Sequence, residues 1–107
     1  MNSLSAPELA AWLADDSRSR PLLLDVREPW ETAICRIEGS TLVPMPALTA
    51  RLPEFDPDQP VVCICHHGGR SAHVAMWLMR QGWSEVYNLT GGVDAWARQV
   101  EPQMLTY

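Results

Sequence analysis

Apolar positions in this chain come in short blocks cut apart by polar residues, prolines and glycines, and the period changes from block to block. Ser5-Ala6-Pro7-Glu8 is a capping-box pattern, with Ser5 as N-cap and Glu8 three residues on. Leu9, Trp12 and Leu13 follow at helical spacing, predicting an amphipathic helix that ends near Asp15-Asp16. Ser17 to Arg20 reads as a loop, and Pro21 to Val26 as an apolar run suited to a strand buried on both faces. Pro29 opens a short helix, Trp30 to Ile34; Thr41 to Val43 reads as a strand, and Pro44 to Leu52 holds a short helix. After a turn at Phe55 to Pro60, Val61-Val62-Cys63-Ile64 forms the most apolar strand, and a helical pattern runs from Ala72 to Gln81. Gly82 stops that helix, Glu85 to Leu89 is the last strand, and Gly91-Gly92 turns into a helix over Val93 to Gln99. Pro102 ends it, and the residues beyond are expected to fray.

Strands alternating with helices through short connections predict an α/β fold, with a small parallel sheet of about four to five strands and helices on both faces. With 107 residues and no internal repeat or linker, one domain over 1–107 is expected. The net charge is −5 and all eight basic residues are scattered arginines, which argues against a nucleic-acid surface. No apolar stretch approaches the roughly 20 residues of a membrane span. The first residues lack the basic and hydrophobic regions of a signal peptide, and three cysteines suit a reducing compartment, so a cytoplasmic protein is expected.

The chemistry concentrates in Cys65-His66-His67-Gly68-Gly69-Arg70-Ser71, between the apolar strand and the long helix. Strand, tight loop and helix is how an α/β fold presents a nucleophile. The glycines let the backbone curl so that successive N–H groups face one point, and the helix adds its unpaired amides and positive dipole end. A thiol in such surroundings is expected to ionise near neutral pH, which makes Cys65 a reactive sulfur in an anion cradle.

Three segments, in this order, resemble the single-domain rhodanese (thiosulfate sulfurtransferase-like) family. They are Asp25-Val26-Arg27-Glu28-Pro29-Trp30-Glu31, the Cys65 to Ser71 loop, and Leu89-Thr90-Gly91-Gly92-Val93-Asp94-Ala95-Trp96. The chain differs at Cys35-Arg36-Ile37-Glu38-Gly39-Ser40, where the family usually has Gly-His-Ile-x-Gly-Ala. The resemblance implies a rhodanese-like fold and a sulfurtransferase. Cys65 would carry a sulfane sulfur as a persulfide from thiosulfate or a persulfide donor to a thiol, a protein cysteine or cyanide. His66, His67, Gly68, Gly69, Arg70 and Ser71 would bind substrate, Arg70 clamping a sulfonate with its planar fork. His66 and His67 would add positive charge below a pH of roughly 6.5. Asp25 and Arg27 would form a buried supporting pair. Neither metal nor organic cofactor is implied.

Other readings compete. Cys63 and Cys35 are read as core filler, with Cys63 as a resolving thiol in the minority view; His73 is read as structural or exposed. A zinc site from Cys63, Cys65, His66 and His67 is dismissed, because four ligands along one strand end cannot converge tetrahedrally. The five tryptophans are read as core or rim packing, an exposed one near the loop indicating a partner surface. A rhodanese-fold cysteine phosphatase is one alternative function, although its loop has five residues between Cys and Arg, against four here. A protein-to-protein persulfide relay or a binding module is the other.

Overall fold

The computed structural model describes residues 1–107. Five strands form one parallel sheet: β1 (Asn2–Leu4), β2 (Leu22–Asp25), β3 (Thr41–Leu42), β4 (Val61–Ile64) and β5 (Val86–Leu89), in the order β1-β5-β4-β2-β3. The helices are α1 (Ala6–Ala14), α2 (Pro29–Ile34), α3 (Leu48–Arg51, flanked by 3-10 turns), α4 (Gly69–Arg80) and α5 (Gly92–Gln99). Ser5 caps α1 as its sequence predicts: Glu8 N–H donates to Ser5 Oγ (3.2 Å) and Ser5 N–H donates to Glu8 Oε1 (2.8 Å).

Both faces of the sheet are covered, as parallel strands require. On one, Leu9 and Trp12 of α1 and Val93 and Trp96 of α5 pack over Leu23, Val62, Ile64 and Leu89. On the other, Val74, Ala75 and Leu78 of α4, with Leu48 and Trp83, pack over Leu24, Val61, Cys63 and Val86. All four residues of β4 are buried, the consequence of being the central strand, and this is why its sequence shows no polar alternation.

Strand order positions the site. From β2 the chain steps outward to β3, and from β4 it steps the other way to β5. Adjacent strands whose connections leave in opposite directions open a crevice at their carboxyl ends, the place where such sheets bind ligands. The residues after β2 (Val26, Arg27) and after β4 (Cys65 onward) meet there.

Four expectations need correction. The first strand, Asn2–Leu4, pairs with β5 and was not anticipated; three edge residues before a helix cap carry too little periodicity. The long helix begins at Gly69, not Ala72, so the end of the loop is already helical. Trp30 is 61% exposed, while Trp12, Trp83 and Trp96 are buried. The segment after α5 does not fray: Trp96 Nε1–H donates to Glu101 (2.8 Å), Met104 N–H donates to the Glu101 carbonyl (2.9 Å), and Met104 and Tyr107 pack on the core.

One glycine joins fold to site. At Gly92 the backbone has φ +60°, and an added Cβ would collide with the carbonyls of Cys65 and His66. Because Gly92 has none, the start of α5 lies directly on the loop, with Val93 N–H donating to Cys65 O (2.9 Å) and Asp94 N–H to His66 O (3.1 Å). Gly92→Ala is expected to destabilise the protein by about 2 kcal/mol or more, combining left-handed strain with a forced separation. Thermal or urea unfolding of the variant measures this; an unchanged midpoint would contradict the contact.

Candidate active site

Hydrogen bonds from α5 draw the carbonyls of Cys65 and His66 toward that helix, which turns the N–H groups of the same two peptides, those of His66 and His67, the other way. Gly68, at φ +104°, makes the reversal that starts α4, a conformation reserved in practice for glycine. Gly69 has ordinary helical backbone and open space around it, so of the two glycines only Gly68 is required by geometry. Cys65, whose sulfur sits inside this turn, is 1% exposed. It accepts from Gly68 N–H (3.1 Å), from Ser71 N–H (3.4 Å) and lies 3.2 Å from Ser71 Oγ. The first-turn amides of α4 have no carbonyl one turn back, so their N–H groups add to the same positive field.

Beneath the loop is a residue the sequence reading missed. Asn88, on β5, donates from Nδ2 to Gly68 O (3.1 Å), which fixes its amide so that Oδ1 meets the hydroxyl of Ser71. Ser71 has one proton and two neighbours that can accept it, Asn88 Oδ1 and Cys65 Sγ. When Cys65 is a thiol, its S–H can donate to Ser71 while Ser71 donates to Asn88. When it is an anion, the hydroxyl can turn to it. The only advance signal was a polar residue inside an apolar strand.

Arg70 is not free to act as a fork on substrate in the simple way expected. Its Nη1 and Nη2 donate to both oxygens of Glu31 on α2 (2.8 and 2.7 Å). Three of its five donors remain, and the side chain is 39% exposed, so it can still face an anion from its flank. Glu31 also accepts from its own cap, Glu28 N–H (2.9 Å), and from Tyr107 Oη (2.7 Å). The bond from Arg70 holds Glu31 well below the usual carboxylate value of 4.5, at about 2, against the opposing effect of burial. Glu31 lay within the Asp25 to Glu31 segment but was not among the expected site residues; it is the buried residue of α2.

Asp25 and Arg27 form the expected buried pair. Arg27 donates from Nη2 to Asp25 Oδ2 (2.7 Å), and further to Cys35 O (2.8 Å) and Tyr107 Oη (2.9 Å). Burial works against the charge on Arg27, but its bonds to Asp25 and Tyr107 outweigh this and raise its affinity for the proton. Tyr107, 80 residues from Arg27 in sequence, is the third residue the sequence reading missed.

The histidines form a stack rather than a pair of free cations. His67 lies on His66 (centroids 3.9 Å apart), and the other face of His66 lies on Tyr107 (3.9 Å, 16° between planes). Burial, then the neighbouring His67, push His66 below its usual value of 6.5, so His66 charges at lower pH than expected. His66, His67 and Asp94 bring metal-ligating atoms within 4.8 Å of one another. The two rings lie face to face, so their in-plane lone pairs run alongside rather than converge, and Asp94 is engaged by Arg98 (3.0 Å). Burial pushes the Cys63 thiol up to about 12, which suits core filler and not a resolving thiol. Cys35 is buried against Arg27, and His73 is exposed on α4.

Glu31 gives the site a definite acid dependence. A carboxylate whose affinity for protons is depressed on folding stabilises the fold fully above about 4.5, and that contribution is lost as pH falls toward about 2. Wild type is therefore expected to exceed Glu31→Gln in stability at neutral pH, with the gap closing between pH 4.5 and 2. Urea unfolding across that range measures it; a constant gap would contradict the ion pair.

Comparison with known proteins agrees with this architecture. Residues 5–99 match the model of the rhodanese-like domain. A sulfurtransferase from Allochromatium vinosum is 37% identical over 102 residues, covering 95% of this chain and 94% of that protein. The thiosulfate sulfurtransferase GlpE of Pseudomonas aeruginosa is 34% identical over 97 residues, covering 91% and 84%. The crystal structure of a rhodanese-like domain protein from Staphylococcus aureus superposes with a TM-score of 0.82 at 31% identity, covering 90% and 91%. Of two longer relatives the chain spans only 30% and 27% of the length. No helix is long and apolar enough to cross a membrane. With its five-stranded parallel sheet, its cysteine loop at the carboxyl end of β4 and a family match over nearly its whole length, the chain belongs to the rhodanese-like domain family, whose members include sulfurtransferases.

Proposed function

We propose that the protein is a sulfurtransferase that carries a sulfane sulfur on Cys65, from thiosulfate or a related persulfide to a thiophilic acceptor. The observation that carries this reading is the sulfur of Cys65 held by the amides of Gly68 and Ser71 at the mouth of the crevice. In the first half-reaction the thiolate attacks the outer sulfur of thiosulfate. A Cys65 S–S bond forms, the S–S bond of thiosulfate breaks, and sulfite leaves with the electron pair. In the second, cyanide or a thiolate attacks the outer sulfur and Cys65 regains its thiolate. Cyanide leaves as thiocyanate with no proton or redox partner needed.

The thiolate and the persulfide are both anions, so one ring of amides serves both states. The outer sulfur would take the first-turn amides of α4 that the resting sulfur does not use. Arg70, braced by Glu31, supports a sulfonate with its remaining donors rather than with its fork. Asp25, Arg27, Asn88 and Glu31 would hold this arrangement from beneath and beside.

The phosphatase reading has less support. Expelling an alkoxide requires a protonated acid near the leaving oxygen. Glu31, the carboxyl group on Arg70, is held at about 2 and so stays ionised, and Asp94 is engaged by Arg98.

Wild-type protein incubated with thiosulfate is expected to gain the mass of one sulfur atom, lose it to cyanide, and show neither change as Cys65→Ser. Equal sulfite release by wild type and Cys65→Ser would overturn the proposal. Arg70→Ala is expected to lower kcat/KM for thiosulfate by roughly tenfold to a hundredfold, and to affect loading from an uncharged organic trisulfide less. Equal losses with both donors would remove the anion-supporting role of Arg70.

A further inference from the structure

We infer that Tyr107 is a specificity-determining wall of this site, admitting slender sulfur species to Cys65 and obstructing bulky ones. The inference rests on the sulfurtransferase reading and concerns which donors and acceptors fit.

The crevice lies between the segment after β2 and the loop after β4, and Tyr107 is bound to both sides of it. On the β4 side its ring lies flat on His66, the residue next to Cys65, at 3.9 Å and 16°. On the β2 side its hydroxyl donates to Glu31 Oε2 (2.7 Å) and accepts from Arg27 Nη1 (2.9 Å). A side chain fixed to both banks of a cleft must span it. Trp30, on α2, sets its edge against the same ring (centroids 5.6 Å, 67°), so aromatic surface continues from His67 through His66 and Tyr107 to Trp30.

Two features make this a wall and not incidental packing. Cys65 is almost wholly covered, with Ser71 on its sulfur, Asn88 behind Ser71 and the loop amides beside it, which leaves the crevice that Tyr107 spans as the approach to the sulfur. The position of Tyr107 is also over-determined. Two hydrogen bonds to charged groups, each of the stronger kind, add to face-to-face stacking and to the anchoring of Met104 on the core. Tyr107 lies outside residues 5–99, the part matched by the family model.

Thiosulfate and cyanide, being slender, need the least displacement of the ring. A thiol on a folded partner would have to displace it, at the loss of the stack and both hydrogen bonds. The substrate class is accordingly small sulfur anions and slim thiols, with protein-borne persulfides disfavoured.

The experiment compares alkylation of Cys65 by iodoacetamide and by its N-phenyl derivative, two reagents with the same reacting group and different girth. It uses the full chain as wild type, Tyr107→Phe, Tyr107→Ala and Tyr107→Leu, reading Cys65 by peptide mass spectrometry and confirming folding by thermal melting. The ratio of bulky to small reagent rates is expected to rise roughly tenfold in the alanine and leucine variants, a barrier change of about 1.4 kcal/mol. It is expected to rise by about two- to threefold in phenylalanine, where the ring remains but its anchor is gone. A ratio unchanged across all variants would overturn the wall, and a ratio raised by alanine and leucine but not phenylalanine would overturn the anchoring role of the hydroxyl. The readout needs no sulfur transfer. If wild type takes no sulfur from thiosulfate while the alkylation ratio moves, the sulfurtransferase reading fails and the wall stands.

Discussion

Two backbone hydrogen bonds, from Val93 and Asp94 to the carbonyls of Cys65 and His66, fix how the start of the Cys65 to Ser71 loop lies on α5. A peptide group has two ends. Drawing the carbonyls of Cys65 and His66 toward α5 turns the N–H groups of His66 and His67 the other way, while Gly68 and Ser71 N–H hold the sulfur, all without a single charged side chain. The contact is available only because Gly92 has no Cβ to hold the two segments apart. The Gly-Gly segment near residue 91, which in sequence looks like a mere turn into the last helix, thereby also sets the position of the Cys65 loop.

Around that cradle the charges are arranged in closed pairs. Arg27 is buried against Asp25, Arg70 is held by Glu31, and Tyr107 connects the two pairs through one hydroxyl. Buried ion pairs are costly unless their remaining donors and acceptors are satisfied. Here Glu31 accepts four hydrogen bonds and Arg27 reaches Asp25, Cys35 and Tyr107, which meets that condition. The outcome is a locally near-neutral wall beside an amide-lined pocket, so the attraction for an anion comes chiefly from backbone dipoles. That distinguishes the site from one built on free arginines and lysines.

What could be read in the sequence followed range along the chain. The parallel α/β architecture, the cap at Ser5 and the loop from Cys65 to Ser71 are written in neighbouring residues, where periodicity and turn chemistry act. The partners of those residues are not. Glu31 and Arg70 are 39 positions apart, Ser71 and Asn88 are 17 apart, and Tyr107 meets Glu31 across 76. Nothing local marks Tyr107 as a partner of the loop, and Pro102 closes the last helical pattern, so a fraying tail was the natural expectation. The arginine fork was misjudged for the same reason, since the residue type shows what Arg70 can hold and only the fold shows what already holds it.

The central claim is that the transferred sulfur lies within the ring of N–H groups made by the Cys65 to Ser71 loop. A crystal structure of the protein soaked in thiosulfate tests it most directly. The account predicts extra density bonded to Cys65 Sγ, in hydrogen-bonding range of the loop amides and with Val93 and Asp94 still bound to the loop carbonyls. Density on Cys35 or Cys63, or a Cys65 sulfur turned out of the ring, would contradict it.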